Sequence, residues 1–101
     1  MTDRKVLGLV EAGDLCASDL LETLRPIILQ GNTETQLDVQ ESLRIAAGVC
    51  IRDRTEGIHP YVYVIRRCAD LMTDEIASAK TQVIADVLET GYKPIQDQER
   101  H

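Results

Sequence analysis

From Tyr61 to Val87 the chain places an apolar side chain on one helical face without a break. Ile65, Cys68, Met72, Ile76, Ala79, Val83 and Val87 follow one another at steps of three or four. That period keeps a stripe nearly straight along an undistorted helix. The flanks agree: His59 suits an N-cap, Pro60 the first helical position, and Gly91 the stop, while Ile58 and Tyr63 stand at the spacing of a hydrophobic staple. The pattern predicts one long C-terminal helix over about 60–90, roughly 46 Å end to end at 1.5 Å per residue.

A second stripe precedes it. Leu37, Val39, Leu43, Ala46, Ala47, Cys50 and Ile51 recur at helical intervals, so a helix is expected over about 34–54. Thr33 and Gln36 have the spacing of a capping box, and Thr55-Glu56-Gly57 closes the element. Gly48 costs this helix about 1 kcal/mol relative to Ala and permits another element to come close. Earlier, Leu20, Leu21 and Leu24 mark a helix capped by Asp14 or Ser18 and stopped at Gly31-Asn32, with Pro26 as a kink or restart. Val6, Leu7, Leu9 and Val10 make either a short helix, capped by Thr2 and ended by Gly13, or a strand.

The expected architecture is an all-α bundle of three to four helices, its long C-terminal helix packed against the 34–54 helix as a hairpin. Residues 1–91 form one domain and 92–101 a polar tail. One local conflict stands against this. Tyr61-Val62-Tyr63-Val64-Ile65 is β-prone and can pair with Val49-Cys50-Ile51, which would make residues 49–65 a β-hairpin. The helix is preferred because its period runs through the whole segment. A helix that long needs more cover than shorter neighbours supply. A second copy related by a two-fold axis provides it, so a homodimer is expected; the alternative is a monomer with the N-terminal helix folded over the rest.

Composition sharpens the picture. The 101 residues include three Tyr but no Phe or Trp, so the core must be aliphatic and closely packed. The formal charge of −6 and a pI near 4.8 argue against a generic binder of nucleic acid or of a membrane surface. The acidic excess is even along the chain, and the longest carboxylate run is the pair Asp74-Glu75, too sparse to imitate a phosphate backbone. No stretch approaches the ~20 apolar residues of a membrane span, and no signal peptide is evident at the start. Cys16, Cys50 and Cys68 are odd in number and widely spaced, which reads as reduced, buried thiols rather than a disulfide framework or a metal site. A cytoplasmic location is the expectation.

Candidate chemistry is sparse. His59 is best explained as a cap and His101 ends a polar tail, so neither makes a convincing general base. Asp70, Asp74 and Glu75 read as a solvated face, Arg66 and Asp70 as a surface ion pair, and the six glycines stand singly rather than in a phosphate loop. No enzyme activity, cofactor or metal is expected. One feature rises above this background. Arg52 and Arg54 end one helix while Tyr63, Arg66 and Arg67 lie early in the next, and Tyr and Arg are enriched where proteins dock. The blander reading has these arginines serving helix dipoles and carboxylates.

The reading carried forward is a small acidic protein without enzymatic function that binds another protein, as an adaptor or an inhibitor. Regulatory and anti-defence factors of phages and bacteria are often of this size and plainness. The alternatives are a dimeric DNA-binding regulator or antitoxin-type protein using the arginine cluster, and a small-molecule or catalytic site formed only between subunits.

Overall fold

The computed structural model describes residues 4–13, 15–53 and 59–91. Among them it shows five helices and no strand: α1 (Arg4–Glu11), α2 (Ala17–Gln30), α3 (Thr33–Asp53), α4 (His59–Leu71) and α5 (Glu75–Gly91). The all-α bundle is as expected, and the β-prone run Tyr61 to Ile65 is helical. Burial explains why. Tyr61, Val62, Val64, Ile65, Cys68 and Ala69 are all buried, whereas Tyr63 and Arg67 are exposed, an apolar arc with the width of a packed helix rather than the alternation of a strand.

One expectation needs correcting. The 60–90 segment is two helices, not one, because the chain turns at Met72-Thr73-Asp74. Asp74 caps α5: its Oδ2 accepts from the Ala77 N–H at 2.9 Å, and its backbone carbonyl accepts from Ser78 at 2.9 Å. Across the corner, the Ser78 hydroxyl donates to the Ala69 carbonyl at 2.9 Å, a second bond to an oxygen that also accepts from the Met72 N–H at 3.1 Å. The decisive partner comes from far away. Gln36, on α3 and 2 % exposed, donates from Nε2 to Thr73 Oγ1 at 2.9 Å and accepts at Oε1 from the Asp74 N–H at 2.8 Å.

Gln36 therefore does not close a capping box with Thr33. Asn32 caps α3 instead, its Oδ1 accepting from the Thr35 N–H at 2.9 Å, and Thr33 donates across the corner to Asp74 Oδ1 at 3.3 Å. Ser18 does not cap α2 either. Cys16 holds the N-cap position without a side-chain cap bond, and Ser18 lies inside the first turn; Asp14 and the Ile58 half of the proposed staple fall outside the described residues. Pro26 sits within a continuous α2. Two of the expected stops hold, Gly13 ending α1 with a φ of 74° and Gly31 ending α2, while Thr55-Glu56-Gly57 falls outside the described residues. A Cβ at Gly31 would lie 2.5 Å from Thr35 Cγ2 and 2.8 Å from the Ile27 carbonyl oxygen, so only Gly fits there.

The corner changes which elements meet. α5 folds back on α4 and lies along α3, α4 packs on α2, and α1 packs on α3. Thus α3 finds its principal C-terminal partner in α5, not in a hairpin with α4. The core runs through all five elements, from Leu7 and Val10 through Leu24, Ile28, Val39 and Leu43 to Cys68 and Leu88, each at most 1 % exposed. The turn also resets the helical phase. Ala77, Thr81, Ile84, Ala85 and Leu88 face inward on α5, while Ile76, Val83 and Val87, expected in the buried stripe, are 62 %, 56 % and 61 % exposed.

Candidate interaction surfaces

The arginine-rich segment resolves into members with different roles. The Arg66 guanidinium is a clamp between α4 and α5. Its Nη2 lies 2.7 Å from Glu89 Oε1 and 2.9 Å from Asp86 Oδ1, and its Nη1 donates to Gln82 Oε1 at 3.2 Å. This set takes the place of the expected pair with Asp70. The bonds to Glu89 and then Asp86 raise the Arg66 pKa further above its ordinary value. Arg67 points away, exposed and without an ion pair among the described residues. Tyr63, one turn earlier on the same face, is 61 % exposed. Arg52 lies in the last turn of α3, and Arg54 falls outside the described residues. The structure therefore brings Tyr63 and Arg67 together on one open face and commits Arg66 to the fold.

Tyr63 stands at the edge of a depression of about 520 Å³ where the starts of α2 and α4 meet. Cys16, Ala17, Ser18, Leu21, Glu22, Pro60 and Val64 complete its lining. Beneath it, the Tyr61 hydroxyl donates to the Leu15 carbonyl at 2.9 Å and fixes the loop before α2 to α4. Cys16 is exposed here, contrary to the expectation that the thiols are buried, because it is the N-cap residue of α2. Its Sγ is 3.5 Å from Ser18 Oγ. Cys68 is buried as expected, and loss of solvent pushes its thiol up to about 12.

A second surface was not anticipated. Between α3 and α5 runs a furrow of about 480 Å³ with Ala47, Gly48, Val83, Ile84, Val87 and Leu88 along it. Its other lining residues are Gln40, Arg44 and Lys80. Arg44 donates to Glu41 through Nε at 3.1 Å and also through Nη2, and this holds the Glu41 carboxyl below its ordinary range. The sequence signal is the α5 stripe itself, whose outward half faces solvent because the chain turns at Thr73.

Other polar contacts in the interior serve packing. The Ser42 hydroxyl, on a residue 1 % exposed, donates to Glu11 Oε2 at 2.9 Å and tethers α1 to α3. The Thr81 hydroxyl returns to the Ala77 carbonyl at 2.8 Å. Among the described residues no three His, Cys, Asp or Glu side chains are grouped to hold a metal ion, and no helix is long and apolar enough to cross a membrane. Compared with known protein families, curated proteins and solved structures, the chain matches none.

Proposed function

We propose that this chain is a non-enzymatic docking protein, an adaptor or inhibitor that engages another protein through the outer face of α4. The observation that carries this reading is Tyr63: a large aromatic ring, 61 % exposed, on a helix whose apolar neighbours are buried. Among the described residues it takes no part in the buried core. A tyrosine costs little conformational entropy to order and offers both a ring and a hydroxyl, which is why such residues dominate docking energetics. The depression beside it can accept a partner side chain, and Arg67 adds an exposed cation one turn away. Glu22 on the far wall gives the site charges of both signs, a pattern suited to a protein surface rather than to a phosphate backbone.

The test is affinity capture at low and high salt with two baits, the unaltered chain and a Tyr63→Ser/Arg67→Glu variant. Both substituted positions are exposed, so helical content is expected to stay the same. The reading expects a protein partner that survives high salt on the first bait and is lost from the second. Equal recovery on both baits removes this face. Nucleic acid that washes off with salt returns the DNA-binding alternative, because phosphate contacts weaken steeply as counterions are added.

A further inference from the structure

We infer that the furrow between α3 and α5, with the exposed ridge of α5 beside it, is a self-association face whose occupant is a second copy of this chain. The ridge (Ile76, Val83 and Val87) and the furrow floor (Ala47, Ile84 and Leu88) lie side by side on the same two helices. A two-fold operation lays the ridge of each copy into the furrow of the other, so the surface is complementary to itself. Any other partner would have to supply that shape independently.

Area and charge agree. α5 has 17 residues, about 26 Å of helix at 1.5 Å per residue. Two helices with axes 8–10 Å apart present a face about 20 Å across, hence on the order of 500 Å² per protomer. The pair buries about 1,000 Å², the lower bound for a specific interface. The chain carries −6, which opposes self-association in general. Yet among the described residues no carboxylate lines the furrow, and the charged side chains there are Arg44, already paired with Glu41, and Lys80. The repelling carboxylates are displaced from the face that has to close, and apolar burial drives the contact. This surface is separate from the Tyr63 face, so the two readings stand or fall independently.

Gly48 allows a test that leaves the fold intact. A Cβ there meets nothing within 4 Å, and its φ is not in the left-handed region, so a longer side chain enters open furrow rather than core. Sedimentation equilibrium and light scattering from about 5 to 200 µM, at low and moderate salt, read the mass. Wild type is expected to pass from 11.3 kDa toward 22.6 kDa, twice the chain mass, with added salt favouring the larger species. Gly48→Leu, which fills the furrow, and Val83→Lys, which places a charge on the ridge, are each expected to weaken association more than about 10-fold. Circular dichroism verifies that both remain helical. A wild-type chain that stays at 11.3 kDa throughout overturns the inference, as does a dimer that both variants leave intact.

Discussion

Replacing Gln36 with leucine tests the physical origin of the α4–α5 corner. Leucine keeps most of the side-chain volume and the helical propensity but can neither donate to Thr73 nor accept from the Asp74 N–H. Two hydrogen bonds, at 2.9 and 2.8 Å, are lost. At net values of about 0.5–1.5 kcal/mol each, they account for ~1–3 kcal/mol. The residue is 2 % exposed, so water does not readily replace the missing partner. The orphaned Asp74 N–H adds a desolvation penalty that brings the expected loss to about 2–4 kcal/mol. For a domain of this length that corresponds to a fall in Tm of roughly 10–25 °C. Urea unfolding followed by circular dichroism measures the loss, and native-state amide exchange locates it: Asp74 should lose protection before the middles of α3 and α5 do. A change below ~0.5 kcal/mol would refute the reasoning, since that is the scale of a surface substitution. The Thr33→Ala variant is the control, because its 3.3 Å bond to Asp74 is exposed and should contribute well under 1 kcal/mol.

Three further outcomes are expected. Gly31→Ala should destabilise by about 1–3 kcal/mol, since its Cβ meets Thr35 and the Ile27 carbonyl below 3.0 Å, whereas Gly48→Ala should stabilise by about 0.5–1 kcal/mol in the same denaturant series. Arg66→Met should cost about 1 kcal/mol, with a smaller difference at high salt, because its pairs to Asp86 and Glu89 are partly exposed; Arg67→Met should be nearly neutral. A thiol reagent at pH 8 should label native Cys16 quickly and Cys68 only on unfolding, and stability should decline in alkali. The folded Cys68 pKa is raised to about 12 from an ordinary 9.0, so its contribution is whole below about 9 and lost as pH climbs toward 12. Cys68→Ala should lower stability at pH 8 but flatten that decline.

What the sequence made legible was local. The start of α4 at His59-Pro60, the stops at Gly13 and Gly31 and the extent of α3 rest on caps and on a period confined to one segment. The corner at Thr73 does not. The stripe from Ile65 to Val87 keeps its spacing straight through it, and Asp74 reads from the sequence as part of a solvated face rather than as a cap. The group that fixes the corner, Gln36, is 38 residues away in the chain from Asp74 and was assigned a cap of its own. Tertiary hydrogen bonds thus overrode a local periodic signal. Arg66 follows the same logic: its partner four residues on was visible, but Glu89, 23 residues on, was visible only in three dimensions. Both surfaces follow from the corner, because folding α5 back leaves the outer face of α4 free and turns Val83 and Val87 outward.

The claim that the Tyr63 face docks a protein is tested most directly by placing a photo-crosslinking benzoylphenylalanine at position 63 in the native host. Illumination should yield one discrete protein adduct, absent when the crosslinker is moved to the exposed position of Glu34 and absent when Arg67 is changed to Glu. An adduct formed equally from both positions, or none from position 63 while the chain is folded and abundant, would contradict it.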